Sequence, residues 1–143
     1  MYLDTITLFV RNTVDGELFW RPVVIGNGYA DFNADRSLIL ATYGENSQDT
    51  AKLHLRYDVG EIVDGWQYVL PKEWNGAKGT FTIQSGNDFS FFWVGEYEVA
   101  EDIADSEFRD GFYNFFNKTH DEVYAVTSVA KYSVIPHFEV MAR

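Results

Sequence analysis

AKLHLRYDV, residues 51–59, is the stretch that alternates apolar and polar side chains most clearly. On an extended strand its apolar side chains share one face, and they are Leu53, Leu55, Tyr57 and Val59. Its polar side chains share the opposite face, and they are Lys52, His54, Arg56 and Asp58. This period of two is typical of a half-buried β-strand, so it predicts a mainly β fold.

Turn-forming residues recur along the chain between apolar or alternating runs. They are Asp15-Gly16, Gly26-Asn27-Gly28, Asp64-Gly65, Asn75-Gly76 and Ser85-Gly86-Asn87-Asp88. Asp-Gly and Asn-Gly pairs favour the tight turns that join neighbouring antiparallel strands. The spacing therefore predicts a protein rich in hairpins and mostly antiparallel.

Two segments beside these turns have clear strand patterns. DTITLFV, residues 4–10, places Ile6, Leu8 and Val10 together on one face. EIVDGWQYVL, residues 61–70, is predicted to form a tight hairpin because Asp-Gly suits a two-residue turn.

Further strand pairs are predicted in the second half of the chain. GTFTIQSG (residues 79–86) and DFSFFWVGEYEV (88–99) are expected to pair with each other across the turn between them. VYAVTSVAKYSVIPHFEV (123–140) is expected to form a long closing strand pair. Pro136 marks a bend or an edge because proline has no backbone donor. His137 is then expected to support that bend, or a contact between subunits, rather than catalysis.

One segment, DSEFRDGFYNFFNK, has the spacing of a helix instead. Its apolar stripe consists of Phe108, Phe112, Phe115 and Phe116. Asp105 or Ser106 is the expected N-terminal cap, and Asn117 with Lys118 suits the end. Gly111 would weaken this helix, so packing of the stripe must hold it against a sheet or at one end of a barrel. The prediction is one domain, residues 1–143: an antiparallel β-barrel or sandwich with one short helix and a long polar loop.

Composition narrows the classes of function. The formal charge is −11, from 22 acidic and 11 basic residues, and the 12 Phe, 9 Tyr and 4 Trp favour strands and large buried contacts. A protein that reads nucleic-acid sequence needs a basic face, so this class is disfavoured.

The chain has no cysteine, which excludes disulfides. The start, MYLDTITLFVRN, does not resemble a secretory signal, and no apolar stretch suits a membrane span, so we expect a cytosolic product without membrane contact.

A calcium loop is suggested by Asp31, Asn33 and Asp35, which match the opening of such a loop. However, Arg36 stands where glycine is required, and Thr42 stands where a bidentate glutamate is required. An ordinary polar turn is therefore the preferred interpretation.

Catalytic and cofactor motifs give little support to an enzyme. His54, His120 and His137 share no spacing typical of metal ligands, so no metal site is predicted. No nucleophile elbow, phosphate-binding loop or dinucleotide fingerprint is present, so no cofactor is predicted. A hydrolase using His137 with a nearby carboxylate is a minor alternative. We predict a protein that is not an enzyme.

The longest candidate loop, ATYGENSQDTA (residues 41–51), is polar and central. A helical turn extending from ADRSLILATYG (34–44) is the competing interpretation. Function often collects on loops that a rigid scaffold positions. The candidate interaction residues lie between residues 44 and 50, and they are Glu45, Asn46, Gln48 and Asp49.

Five ordered blocks resemble a family of small phage proteins. The blocks are TITLF (5–9), YGENSQDTAKLHLRY (43–57), LPKEW (70–74), FTIQSGNDFSFFWVG (81–95) and FNKTHDEVYAVTSVAKYSVIPHFEV (116–140). Members of that family are encoded in the head–tail morphogenesis clusters of siphophages and of prophages of Gram-positive bacteria, often as minor capsid proteins. The resemblance covers nearly the whole chain, and it brings no catalytic motif with it.

The resemblance implies a structural virion protein, made in the bacterial host cytoplasm. It implies a head-closure (stopper) or head–tail connector subunit, a small β-barrel or sandwich that forms a ring beneath the portal. The expected partners are other copies of the chain, portal or adaptor proteins and tail proteins, with DNA passing through the channel without sequence recognition. Repeated negative charge around such a ring would keep the duplex from binding tightly.

A different class of function remains open on the residues alone. A small β-barrel could bind an apolar or sugar ligand in an aromatic-lined pocket. The candidate lining residues are Trp66, Trp74, Phe91, Phe92 and Trp93. Core and interface packing is the preferred interpretation of these aromatics.

Overall fold

The computed structural model describes residues 2–34 and 51–143, which contain ten strands and one α-helix. The first strands are β1 (Asp4–Val14), β2 (Glu17–Ala34), β3 (Ala51–Arg56), β4 (Ile62–Val63) and β5 (Trp66–Tyr68). The later strands are β6 (Thr80–Phe81), β7 (Phe91–Trp93), β8 (Ile103–Ala104), β9 (Val123–Tyr132) and β10 (His137–Ala142). Helix α1 spans Phe112–Thr119. The predicted mainly β fold is confirmed.

Six strands form a closed antiparallel β-barrel in the order β1-β7-β9-β10-β3-β2. The barrel closes because β2 pairs with β1 along its first half and with β3 along its second half. Strand β8 adds to β2 at Phe19 and Trp20, outside the ring of six. A second small sheet, β4-β5-β6, includes one parallel pair, β5 with β6.

The predicted turn at Gly26-Asn27-Gly28 is wrong, because these residues lie inside strand β2. Ile25 pairs with Ile6 and Ala30 pairs with Asp4, so β2 carries extra residues opposite β1. Asn27 has φ 54° and Gly28 has φ 90°, which places both in the left-handed region. A bulge accommodates such residues without reversing the chain, and it bends the strand from one partner to the next.

Replacing Gly28 with alanine is expected to lower the free energy of unfolding by about 1–2 kcal/mol, because a side chain at positive φ is strained. The added Cβ would meet no atom closer than 3.9 Å, so crowding does not explain the loss. Urea unfolding measures the change. An unchanged unfolding midpoint would contradict the idea that this glycine is needed for the bulge.

The barrel interior is filled by packed side chains. Its fully buried members include Ile6, Leu8, Val10, Val23, Ile25, Leu53, Leu55, Phe92, Phe138 and Val140. The predicted inward faces of β1 and β3 are therefore confirmed at Leu8 and Leu55. The prediction for Val59 is wrong, since it is 95% exposed. Strand β3 ends at Arg56, and the chain turns at Gly60, so the alternation no longer sets the burial.

Helix α1 lies on the outside of the barrel, over β1 and β7. Phe112 and Phe116 pack there against Phe9 and Phe91. This explains why β1 is buried on both faces, although only one face of a barrel strand points inward. The predicted stripe is correct for these two helix residues, but Phe115 is 46% exposed.

The helix begins later than predicted. Asp105 starts a separate 3-10 turn, Asp105–Glu107, and the α-helix starts only at Phe112. Gly111 precedes the helix with φ 88°, so it ends the loop and does not weaken the helix interior. Asp105 still caps the helix from a distance, because its Oδ1 accepts a hydrogen bond from the Phe112 N–H at 2.8 Å.

Predicted strand pairs have mixed outcomes. The turns at Asp15-Gly16 and Asp64-Gly65 join β1 to β2 and β4 to β5, as predicted. The closing pair β9–β10 is also confirmed, with Pro136 in the turn between the strands. The predicted pairing of residues 79–86 with 88–99 is wrong, because β6 pairs with β5 whereas β7 pairs with β1 and β9.

Candidate functional site

The predicted interaction residues Glu45, Asn46, Gln48 and Asp49 lie outside the described residues. Ala34 and Ala51, which flank this segment, pair directly across β2 and β3. Ala51 also pairs with Ala142, the last residue of β10. Ala34 and Ala51 therefore lie at the end of the barrel where β10 ends.

The opposite end of the barrel carries the turn of the β9–β10 hairpin. Within that turn Val134 is 96% exposed and Ile135 is 73% exposed. We name these two adjacent exposed side chains the apolar tip. Val134 is the most exposed large apolar side chain in the described part of the chain, and contiguous apolar surface often marks an interaction site.

Hydrogen bonds fix the apolar tip to the barrel. The Tyr57 N–H donates to the Pro136 carbonyl at 3.3 Å, and the Tyr57 hydroxyl donates to the Tyr132 carbonyl at 2.8 Å. Lys131 pairs with Glu61 across the same end. These contacts join the hairpin to the segment that carries Val59.

His137 lies where the turn re-enters strand β10. Its Nδ1 lies 2.6 Å from the Ile135 carbonyl oxygen, and its ring stacks on Tyr132 with centroids 4.9 Å apart. The histidine thus braces the bend, as its position after Pro136 led us to expect.

A second cluster forms on the outer face of the barrel, where β2, β3 and β10 run side by side. Asp31 pairs with His54 in register, and His54 pairs with Glu139. His137 lies diagonal to His54, with ring centroids 5.5 Å apart. The ligand atoms of His54, His137 and Glu139 all lie within 4.8 Å of one another.

Sequence reasoning missed this cluster because it compared ligand spacing along the chain. His54 and Glu139 come from distant segments that meet only through the pairing of β3 with β10. The available signal was the alternation itself, which places His54 on the polar face of β3 and both His137 and Glu139 on the same face of β10.

Charged residues surround the cluster. Lys52 Nζ lies 3.5 Å from Glu139 Oε1, and Arg56 bonds to the Asp58 carboxylate at 3.2 Å. The Tyr29 hydroxyl also donates to Asp58, and this hydrogen bond raises the pKa of Tyr29. The surface around the cluster therefore carries both positive and negative side chains.

The five candidate aromatics do not line one pocket. Phe92 is buried in the barrel interior, whereas Phe91 is buried on the outer face under the helix. Trp93 packs against Phe116 and His120. Trp66 donates to the Val24 carbonyl at 3.2 Å, and Trp74 donates to the Thr80 hydroxyl at 3.0 Å. Through these hydrogen bonds, the two indoles hold the small sheet and its neighbouring loop in place.

Trp74 does line a surface cleft of about 770 Å³, together with Arg11, Gln84 and Asp88. Burial lowers the pKa of Arg11, whose guanidinium lies over the Trp20 ring at 4.6 Å and donates to the Phe89 carbonyl at 2.8 Å. The Arg11 guanidinium is thus held by contacts within the protein.

None of the helices in the described part of the chain has the length and apolar character required to cross a membrane. The chain matches no protein-family model, no curated protein and no solved structure.

Proposed function

We propose that the protein is a structural virion component of a phage head–tail interface. In this role it is a head-closure or head–tail connector subunit that forms a ring beneath the portal. The observation that carries the proposal is the exposed apolar tip on a closed barrel. The resemblance described above supplies the assembly in which such a surface would be used.

A closed barrel suits a ring subunit because it limits the routes of assembly. Each of the six barrel strands has a neighbour on both sides, so open strand edges are not the main contact surface. Side chains on turns, on loops and on the outer faces of strands are then available for contacts between subunits. Val134 and Ile135 are such side chains, and the proposed occupant of the apolar tip is an adjacent copy of the chain.

The charge of the chain supports passage of DNA through the ring. A formal charge of −11 on every subunit would give a channel wall that repels phosphate. Each phosphate contact made by a basic wall would slow the duplex, and few basic residues are present to make such contacts.

The first test replaces both Val134 and Ile135 with aspartate. Because both side chains are exposed, we expect the unfolding free energy to change by less than about 0.5 kcal/mol per site. Ring formation, followed by sedimentation and electron microscopy, should be lost, as should incorporation into particles. The matched control is Leu3→Asp, which alters an apolar side chain that is 78% exposed outside the tip. Wild-type assembly by the double variant would exclude the tip as the subunit contact.

A second test reverses the charge of Glu45 and Asp49 with lysine. We expect folding to stay nearly intact and assembly of infectious particles, or DNA retention, to be impaired. The measurements are phage titre and packaged DNA. Wild-type titre with both substitutions would rule out this segment as a functional contact.

Portal, capsid and tail genes beside the coding gene would independently support the whole assignment, and their absence would count against it.

A further inference from the structure

We propose that His54, His137 and Glu139 bind one divalent transition-metal ion, with zinc as the best-matched ion. Two imidazoles and one carboxylate form a ligand set that zinc accepts in proteins. The three side chains come from adjacent antiparallel strands, β3 and β10, and all point to the outer face of the barrel. This inference is independent of the proposed virion role.

The tautomer of His137 favours coordination. Its Nδ1 lies 2.6 Å from the Ile135 carbonyl oxygen. A carbonyl oxygen only accepts, so Nδ1 must carry the hydrogen, and Nε2 keeps its lone pair for a metal. Histidine ligands are commonly oriented in this way, through a hydrogen bond from the other ring nitrogen to a carbonyl or a carboxylate.

His54 lies between two carboxylates, those of Glu139 and Asp31. Its Nε2 lies 3.5 Å from Glu139 Oε2, and its Nδ1 faces Asp31 Oδ2 at 4.0 Å. Zinc bonds of about 2.0–2.2 Å in a tetrahedral arrangement place ligand atoms roughly 3.4 Å apart. The His54 and Glu139 atoms already have about this separation, and the ligand atom of His137 lies within 4.8 Å of both.

The site is partly shielded from water. The side chains of His54 and Glu139 are 24% and 26% exposed. Strand pairing fixes the backbone positions of all three ligands, so little ordering remains to oppose binding. Three protein ligands would leave a fourth position for water.

Replacing Lys52 should change the affinity for zinc in the opposite direction to replacing a ligand. Its Nζ lies 3.5 Å from Glu139 Oε1, so the ammonium competes with a cation for this carboxylate. The Lys52 side chain is 43% exposed and can swing into solvent. Removing it should therefore raise the affinity for zinc, whereas removing a ligand should lower it.

The experiment titrates zinc chloride into the tag-free full chain by calorimetry. Wild-type protein should bind one ion, and His54→Ala or His137→Ala should lose roughly tenfold or more in affinity, a loss seen even for groups that only orient a ligand. Lys52→Ala should gain a few-fold. Cobalt should give the visible absorption of a tetrahedral site, and magnesium should not compete.

His120→Ala is the matched control, because His120 stacks on Phe116 of helix α1 with centroids 3.8 Å apart, away from the proposed ligands. This variant should bind zinc like the wild type. The proposal is overturned if wild-type protein binds no zinc. It is also overturned if the two ligand variants bind as tightly as His120→Ala, which would place any bound ion elsewhere.

Discussion

Replacement of Phe112 with alanine is expected to lower the free energy of unfolding by about 3–5 kcal/mol. The ring is only 2% exposed and lies between the helix and the barrel. Its centroid is 5.3 Å from that of Phe9 and 5.4 Å from that of Phe116. The truncation would leave a cavity among rigid aromatics that cannot easily collapse. Since a typical domain is stable by about 5–15 kcal/mol, this loss is a large part of the total.

Phe115→Ala is the matched control on the same helix. Phe115 is 46% exposed, and its ring contacts Phe108 at 4.8 Å on the outer side of the helix. We expect its truncation to cost less than about 1 kcal/mol. Urea unfolding followed by tryptophan fluorescence measures both variants. Similar losses for the two variants would show that the helix is only loosely held against the barrel.

Asp105→Ala should have the second-largest effect, a loss of about 2–4 kcal/mol. A single atom, Asp105 Oδ1, accepts hydrogen bonds from the Trp20 indole at 2.9 Å and from the Phe112 N–H at 2.8 Å. Trp20 is 1% exposed, so the substitution would leave its indole N–H without this acceptor in a largely buried position. The same change would remove the cap of helix α1.

Two further variants separate these contributions. Asp105→Asn retains an acceptor oxygen, so it should lose less than half as much stability as the alanine variant. In a Trp20→Phe background the indole donor is gone, and Asp105→Ala should then cost mainly the helix cap. Calorimetric or urea unfolding measures each variant. If Asp105→Ala costs the same in both backgrounds, the hydrogen bond to Trp20 contributes nothing.

Local sequence patterns predicted the parts of the fold that depend on neighbouring residues. Asp15-Gly16 and Asp64-Gly65 are two-residue turns, and Asp15 and Asp64 both have the positive φ that this geometry requires. The alternation in β3 also predicted which side chains enter the barrel, because a period of two fixes the face. These features need no knowledge of the partner strand.

The failures arise where the same local signal fits two structures. Gly26-Asn27-Gly28 provides positive φ, which serves a turn or a bulge equally well. The Phe stripe has helical spacing from Phe108 onward, but the positive φ at Gly111 delays the helix. Phe108 nevertheless packs on Phe112 from outside the helix, with centroids 5.1 Å apart.

The candidate metal ligands depend on information that no local pattern contains. His54 and His137 meet because β3 is paired with β10 in one particular register. A shift of one residue would move either side chain to the barrel interior. The long polar segment predicted as the contact site lies outside the described residues, so its role remains a prediction.

Strands β9 and β10 lie between β7 and β3, so the last two of these strands in chain order complete the barrel. Until β9 and β10 have been synthesised, β3 and β7 each have one unpaired edge in the nascent chain. Exposed edges invite pairing between chains, and long-range strand pairing is slow. The barrel can therefore form only after β9 and β10 have been synthesised. Premature termination before β9 would release a product in which β3 and β7 each have an unpaired strand edge, and this product is expected to aggregate.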